Sequence, residues 1–432
     1  MMRAPNRIRP WCVALSLALV AGPLLLAQPS GTLEGVVEGQ FAKITIAVPE
    51  PGGVSDAATS GELTGTLRDD LAFSGFFDVV DPALYRLVPA APAQGERHEE
   101  WLSIGASAVV RLRIVPAGER IDVEARLWDN RGGGQLFARR YGGQTALVRR
   151  VAHQIADDLV RHYTGRPGTA LTLLSFVCKT GAAKEVFLAD YDGKRVRRIT
   201  TSGTINLVPA WSPDGNELAF VSFRGKQPGV YVMSSEGTLG HLATVGGELS
   251  SAPDWSPDGH KLAYTSDVDR NSEIYVLDRR SNRNTRLTRH PGIDTAPAWA
   301  PNGREIAFTS DRSGSPQIYL MDAEGLNVRR ISWDGPYNDS PAWSPDGSRL
   351  AYVSRIDGRF DIRVLELATD RTTRLTHGEG SNENPRWSPD GRHLVFASNR
   401  GGTWDIYTMR ADGQDVRRLT KGSDCSTPDW SR

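Results

Sequence analysis

The stretch Pro209-Ala-Trp-Ser-Pro-Asp-Gly215 decides the fold, because the chain repeats it at a fixed interval. Copies begin at Pro253, Pro297, Pro341 and Pro385, each 44 residues after the one before, and a shortened copy follows 43 residues later. The repeat places one tryptophan in each copy: Trp211, Trp255, Trp299, Trp343, Trp387 and Trp430. A period in the forties with several strand-like segments per unit is typical of a β-propeller.

One repeat, Pro341 to Thr376, contains four strand-like segments. Pro345-Asp-Gly347 is a turn signal, because proline presets φ and glycine accepts the left-handed angle that closes the turn. Arg349–Ser354 is rich in strand-favouring residues, and Asp361–Leu365 alternates polar and apolar side chains. The sequence therefore predicts six four-stranded blades.

The repeated tryptophans allow two interpretations. They are either ligand-stacking platforms or residues that pack between neighbouring blades. A binding residue has no reason to recur in every repeat, whereas a packing residue does. We therefore expect the tryptophans to pack.

The two ends of the repeat array are complementary. Leu173–Thr200 matches the second, third and fourth strands of a blade but has no first strand before it. Pro428-Asp-Trp430 is a first strand with no blade after it. We predict that this segment completes the first blade and closes the ring, which leaves no open sheet edge.

Two cysteines, Cys178 and Cys425, fall in this closing blade. Cys178 takes the repeat position of Ser222, and Cys425 lies five residues before Trp430, where another repeat has Asn206. Both positions face each other across the first two strands. The prediction is a disulfide that locks the closure in an oxidising compartment, and the alternative is two unpaired small side chains.

The N-terminus has the pattern of an export signal. Three arginines, Arg3, Arg7 and Arg9, precede an apolar run from Trp11 to Ala27 that Gly22 and Pro23 interrupt. This run is too short to be a convincing membrane span. We predict a signal peptide over residues 1–27, with no direct membrane insertion of the mature chain.

The remaining chain divides into four parts. Residues 28–40 are small and polar and are either a disordered leader or a segment that docks on a partner. Residues 41–164 mix strand patterns with an amphipathic helix at Thr145–Tyr163, which predicts an α/β domain. Residues 165–170 form the linker, and 171–432 form the propeller.

No motif for catalysis or metal binding is present. The eight histidines are scattered and show no metal-ligand spacing, and there is neither a nucleophile elbow nor a phosphate loop. The balance of 51 basic against 51 acidic residues gives no sign of nucleic-acid binding. We predict a monomer that is not an enzyme and has neither a cofactor nor a metal, although a calcium ion in the channel is weakly suggested.

The most informative predicted surface is one mouth of the propeller channel, where polar residues begin the inner strands. These residues are either solvated loop or, as rigid blades commonly arrange, a binding face. Their acidic bias suits a partner that brings lysines and arginines. The predicted partner-binding residues are Asn206, Ser250, Ser251, Ala252, Asp294, Thr295, Asn338, Asp339, Asn382 and Glu383.

The whole mature chain resembles the TolB family, the periplasmic components of the Tol–Pal system of Gram-negative bacteria. The resemblance rests on the Trp-Ser-Pro-Asp-Gly repeats, on Leu71–Phe77 followed by Asp81-Pro, on Trp101–Val109 and on Tyr191-Asp-Gly193. It implies a periplasmic, non-enzymatic adaptor that acts in outer-membrane integrity and in envelope constriction during cell division.

The resemblance also implies two partners. The C-terminal domain of TolA would bind the mature N-terminal segment, for which the matching residues are Leu33, Val36, Val37, Glu38 and Gly39. The lipoprotein Pal would bind the propeller mouth, best matched at Ser250–Ala252 and Asp294–Ala296. The alternative function is an exported enzyme or a small-ligand binder that uses the channel.

Overall fold

A computed structural model describes residues 43–432 apart from 54–55, 91–94, 226 and 244–249. The predicted signal peptide and the predicted TolA-binding segment, 28–40, lie outside the described residues.

The first part of the described chain is a layer of helices on a mixed sheet. Its strands occur in the order β3-β1-β4-β5-β6, with β2 paired to β4. Strand β1 runs parallel to β3 and β4, whereas β4, β5 and β6 are antiparallel. Its elements are β1 (Ile44–Ala47), β2 (Gly52–Gly53), α1 (Ala57–Ser74), β3 (Phe77–Val79), a 3₁₀ turn (Pro82–Leu87), α2 (His98–Ser103), β4 (Ala108–Ala117), β5 (Arg120–Asp129), β6 (Gln135–Gln144), a second 3₁₀ turn (Thr145–Leu147) and α3 (Val148–Thr164).

Helix α1 has defined ends. Asp56 caps its first turn by accepting a hydrogen bond from the Thr59 N–H at 2.8 Å. Gly75 ends it with a φ of 75°, a left-handed angle that glycine adopts without steric cost. Leucines on α1 pack against an apolar stripe of α3 to form one core with the sheet: Leu63, Leu67 and Leu71 against Val151, Ile155 and Leu159.

The second part is a ring of six four-stranded antiparallel sheets. The first blade combines β7 (Leu173–Thr180), β8 (Ala183–Asp190) and β9 (Arg197–Arg198) with β30 (Cys425–Trp430). The second to sixth blades follow in chain order: β10 (Asn206–Trp211), β11 (Glu217–Ser222), β12 (Gly229–Ser234) and β13 (Leu239–Leu242); β14 (Ser250–Trp255), β15 (Lys261–Ser266), β16 (Glu273–Asp278) and β17 (Arg283–Arg286); β18 (Asp294–Trp299), β19 (Glu305–Ser310), β20 (Gln317–Asp322) and β21 (Arg329–Arg330); β22 (Asn338–Trp343), β23 (Arg349–Ile356), β24 (Arg359–Glu366) and β25 (Arg371–Arg374); β26 (Asn382–Trp387), β27 (His393–Ser398), β28 (Asp405–Arg410) and β29 (Arg417–Arg418).

The repeated tryptophans pack between blades. Trp255 is 3% exposed, and its indole N–H donates to the Ala210 carbonyl of the preceding blade at 3.0 Å. Trp343 and Trp387 make the same bond to Ala298 and Ala342. These three tryptophans therefore join their own inner strands to the neighbouring ones.

The ring closes as the sequence predicted, through the C-terminal strand. Strand β30 pairs antiparallel with β7, and Trp430 lies opposite Leu174. Cys425 lies opposite Cys178, and a disulfide joins the two across 247 residues of chain. The Trp430 indole N–H donates to Thr172 Oγ1 at 2.8 Å, which ties the last strand to the start of the propeller.

Helices α1 and α3 contact the first blade through a buried polar network. His153 of α3 bonds to Asp70 of α1 at 2.7 Å, and Tyr191 of the blade donates to the same carboxylate at 2.6 Å. Arg149 of α3 contacts Asp192 at 2.6 Å and Asp190 at 3.2 Å. Burial alone would lower the pKa of His153, but its bonds to Asp190 and Asp70 outweigh that effect and raise it to about 9.

We predict that the mature chain, unfolded without reductant, contains no free thiol. Replacing Cys178→Ser together with Cys425→Asn should destabilise the propeller by about 3 to 5 kcal/mol, because the unfolded chain gains the freedom that the cross-link removed. Thiol titration and thermal unfolding measure the two effects.

These replacements are matched to the repeat, since serine and asparagine are the residues that occupy the same positions in the second blade, Ser222 and Asn206. A count of two free thiols in the unreduced protein would contradict the cross-link.

We further predict that His153→Leu lowers the melting temperature more at pH 6 than at pH 9.5. The pKa of His153 is raised above the ordinary value of 6.5, so its stabilisation is complete below pH 6.5 and is lost as the pH rises through 9. The loss at pH 6 should be on the order of 3 kcal/mol.

The control is His162→Leu on the same helix, where burial lowers the pKa and no carboxylate of the described residues pairs with the ring. Equal losses for His153→Leu at both pH values would show that its charge does not hold the network.

Candidate functional site

The channel has two ends with different chemistry. We call the end where the inner strands begin the polar mouth; its residues are the ten predicted above. We call the end where those strands finish the tryptophan mouth, which is lined by the repeated tryptophans and prolines. The α/β domain lies on the side of the tryptophan mouth, because Phe73 of α1 stacks on His393, next to the turn that joins β26 to β27.

Every inner strand carries a bulge near the polar mouth. The pairing with the second strand shifts after the second residue, and the third residue has a left-handed backbone. The φ of Ala252 is 49° and that of Ser340 is 56°, although neither is glycine. Such bulges re-aim side chains at the rims of closed sheets. Recurrence in all six blades makes the bulge part of the propeller architecture.

The first residue of each inner strand is buried, which corrects the expectation that all ten predicted residues are available to a partner. Asn206 is 1% exposed and donates to the Glu185 carboxylate of the preceding blade at 2.9 Å, where Thr200 also donates. Asp294 is 0% exposed and pairs with Arg312 at 2.7 Å. Ser250, Asn338 and Asn382 are buried in the same way.

The three asparagines join the blades, which was not predicted because a polar residue at the start of a strand also suits a solvated loop. Asn338 donates to Gln317 of the preceding blade at 2.7 Å, and Asn382 donates to Asp361 at 3.3 Å. The amide NH₂ groups of both asparagines therefore have partners in the preceding blade, whereas the side-chain oxygen of Asn338 has none among the described residues. Their position is therefore structural.

The second and third residues of the inner strands are half-buried and line the polar mouth. They are Ser251, Ala252, Thr295, Asp339 and Glu383 among the predicted set. Asp339 accepts hydrogen bonds from Thr309 at 2.8 Å and from Tyr337 at 3.1 Å, which fix its carboxylate. Glu383 accepts no hydrogen bond from the described residues, and burial together with the charge of Asp339 raises its pKa.

The pair Asp339 and Glu383 gives the polar mouth its negative character. The charge of Asp339 adds to burial in raising the pKa of Glu383, and a cation bound beside the two carboxylates would relieve their repulsion. The fifth and sixth blades supply this charge, whereas the third and fourth supply the neutral Ser251, Ala252 and Thr295. The mouth can therefore bind a basic side chain at one part of its rim and neutral groups at the other.

A cluster of three charged residues at the tryptophan mouth was not predicted from the sequence. A cavity of about 390 Å³ opens there, and Asp254, Arg386 and Asp429 line it. Arg386 lies 3.4 Å from Asp429, and burial raises the pKa of Asp254 to about 6. The signal was present in the residue before each tryptophan, which is alanine in three repeats and charged in these three.

The two aspartates change how the next tryptophan is held. Asp254 accepts the backbone N–H of Trp299 at 2.6 Å, and Asp429 accepts that of Trp211 at 2.7 Å. The indole N–H groups of Trp211 and Trp299 then have no partner among the described residues. Where the preceding blade has alanine at this position, the indole N–H bonds to the alanine carbonyl instead.

The other predicted contacts cannot be placed. Leu33, Val36, Val37, Glu38 and Gly39 lie outside the described residues. Within 43–432, gaps aside, no group of three or more acidic, histidine or cysteine side chains has the arrangement of a metal site. In the same part of the chain, no helix has the length and apolar character needed to cross a bilayer.

Comparison with protein-family models matches both parts of the chain. Residues 35–136 match the TolB amino-terminal domain, and residues 160–341 and 336–432 match the TolB beta propeller domain. Among curated proteins, the chain is similar to the Tol-Pal system protein TolB of Geobacter sulfurreducens, with 39% identity over 217 residues, or 49% of this chain and 50% of the relative. The TolB of Anaeromyxobacter sp. strain K is 33% identical over 212 residues, 48% of this chain and 49% of the relative.

These matched stretches span about half the length of the curated relatives. A solved structure extends the similarity to most of the chain. The crystal structure of TolB from Acinetobacter baumannii superposes with a TM-score of 0.80 at 28% identity, covering 90% of this chain and 97% of that one. Both family models and the structural match agree on an α/β domain followed by a closed propeller, and the chain therefore belongs to the TolB family.

Proposed function

We propose that the chain is a periplasmic, non-enzymatic adaptor of the Tol–Pal system. In this proposal the polar mouth binds Pal and the N-terminal segment 28–40 binds the C-terminal domain of TolA. The adaptor would support outer-membrane integrity and envelope constriction during cell division. The names of the relatives support membership of the Tol–Pal system, and the predicted export signal supports the compartment.

The acidic rim formed by Asp339 and Glu383 carries the proposal for Pal. The blades hold it rigidly, because the residue before each carboxylate, Asn338 or Asn382, donates to a side chain of the preceding blade. Rigid loops lose little conformational entropy on binding, which favours a specific protein contact. A basic side chain of the partner would pair with Glu383, the carboxylate that has no hydrogen bond within the described residues.

The contacts proposed for Pal are restricted to the five half-buried residues. Ser251, Ala252 and Thr295 provide small neutral surface that allows close approach of a partner backbone, while Asp339 and Glu383 provide charge. Asn206, Ser250, Asp294, Asn338 and Asn382 would act indirectly by holding the rim.

Binding at the two proposed sites is coupled in this view. The polar mouth and the α/β domain lie on opposite sides of the propeller, separated by six-residue inner strands of about 20 Å. Any coupling between the two sites must be reciprocal, so that Pal changes the affinity for TolA as much as TolA changes the affinity for Pal.

A second candidate function is small-ligand binding in the channel. The cavity of about 390 Å³ at the tryptophan mouth, with Asp254 of raised pKa on its wall, is the observation that favours it. Absence of Pal binding in the titrations below would move the assignment to this candidate.

We predict that Glu383→Gln weakens binding of a soluble Pal domain several-fold and that Glu383→Lys weakens it by more than about ten-fold, since a like charge then faces the partner. Isothermal titration and association kinetics measure this. Because burial raises the pKa of Glu383, the wild-type affinity should also fall on mild acidification, as the carboxylate becomes protonated at a higher pH than an exposed glutamate.

The matched control is Glu324→Gln, which removes the same charge from an exposed turn on the side of the tryptophan mouth. Equal weakening by both glutamine variants would mean that net charge, and not the polar mouth, determines the affinity.

We also predict that a chain beginning at Phe41 fails to bind the C-terminal domain of TolA, whereas the chain from Gln28 binds it. Titration of both chains with Pal then tests the coupling. Different affinities for Pal would establish that the segment and the mouth are linked. Equal affinities would remove the coupling and leave the adaptor, and binding of TolA by the shortened chain would place its site elsewhere.

A further inference from the structure

A second cavity, of about 310 Å³, lies where the α/β domain meets the fifth and sixth blades. Gly75, at the end of α1, forms one wall. The other walls come from the propeller and are strongly basic: Arg349, Gly391, Arg392, His393, Arg410, Ala411 and Asp412. Three arginines and one aspartate give this cavity an excess of positive charge.

The basic character is a departure from the repeat. The last residue of the third strand lies opposite the first residue of the second strand in every blade, and in four blades it is acidic: Asp190, Asp278, Asp322 and Glu366. In the sixth blade it is Arg410, which lies opposite His393. The fold itself does not require this reversal, because the other blades form without it.

One of the three guanidinium groups has no polar partner among the described residues. Arg392 lies over the Phe76 ring at 3.8 Å and against the end of α1, but its side chain makes no hydrogen bond or ion pair with any described residue. Burial lowers its pKa, and Arg410 and Arg166 repel it in the same direction, while Asp390 opposes them at longer range. Arg410 pairs with Asp412 at 2.8 Å, and Arg349 donates to the Gly391 carbonyl at 3.1 Å.

The histidine beside it is also unsatisfied. His393 is 2% exposed, its ring stacks on Phe73 at 4.0 Å, and neither ring nitrogen has a partner among the described residues. Burial lowers the pKa of His393 to about 4, so the ring is neutral near pH 7 and carries one N–H to donate. A buried polar side chain without a partner is uncommon and calls for an explanation.

We propose that this cavity is a binding site for an oxyanion group, either phosphate or carboxylate. Arg392 would supply the charge and the planar donor pair, Arg410 a second cation, and His393 one further N–H. Guanidinium groups match such oxygens in a bidentate manner, and the low dielectric of a half-buried cavity strengthens the interaction. The bound group would satisfy all of the unpaired donors at once.

The site is separate from the polar mouth, since it lies on the side of the propeller that contacts the α/β domain. Its ligand would touch residues of two blades and the end of α1. The inference is therefore independent of the proposed partners.

The test is isothermal titration of the mature chain with inorganic phosphate and, separately, with acetate, at constant ionic strength against chloride. Binding of phosphate alone would identify a phosphate-bearing ligand, and binding of acetate as well would identify a carboxylate. In either case the double variant Arg392→Gln, Arg410→Gln should bind the probe about ten-fold or more weakly, because charged hydrogen bonds are lost. The single variant Arg410→Gln, whose side chain is partly exposed, should show an intermediate loss.

The matched control is Arg304→Gln, the same turn position in the fourth blade, which is exposed and does not line the cavity. It should leave the affinity unchanged, and melting curves establish that the variants are folded. The proposal is overturned if neither probe binds to the wild-type chain or if the variants bind as tightly as the control.

Discussion

The pairing of the last strand with the first strand of the propeller is the constraint on which the rest depends. A ring of blades has no stable end, because an unclosed blade exposes an unpaired sheet edge and one face of each terminal tryptophan contact. Strand β30 removes both, and the disulfide between Cys425 and Cys178 holds it there. The other contacts between blades, from the indole hydrogen bonds to the buried amides, depend on the blades being held in a closed ring.

In the closed ring, the polar residues at the start of the inner strands fall into two groups with different roles. Those at the first position of the inner strands are buried and form hydrogen bonds within the protein: Asn206 bonds to the preceding blade and Asp294 to Arg312 of its own blade. Those at the second and third positions are turned toward the opening by the bulge. One residue of displacement along a strand thus separates a structural side chain from one that can meet a partner.

Departures from the repeat mark the places where symmetry alone does not explain the residue. At one end of the channel, charged residues stand where the other three repeats have alanine: Asp254, Arg386 and Asp429. At the domain boundary, Arg410 lies opposite His393 and stands where four blades have an acidic residue. Near Asp254 and Asp429 an indole N–H has no partner among the described residues, and near Arg410 both nitrogens of His393 have none. In a repeat protein, residues that depart from the repeat are the most direct indication of surface sites that the fold itself does not require.

The sequence by itself determined the number of blades, the four strands in each, the closure by the last strand and the opposition of Cys178 to Cys425. It could do so because a 44-residue period compares every position with its equivalents, and strand pairing in a repeat is local. The tertiary structure alone decided which polar residues are reachable. Burial of Asn338 or Asn382 depends on a glutamine or aspartate of the preceding blade, about twenty residues away in sequence, and on a bulge that the alternation of polar and apolar residues does not reveal. The basic cavity beside Gly75 likewise depends on where the α/β domain rests on the ring, a contact between distant segments that no local pattern specifies.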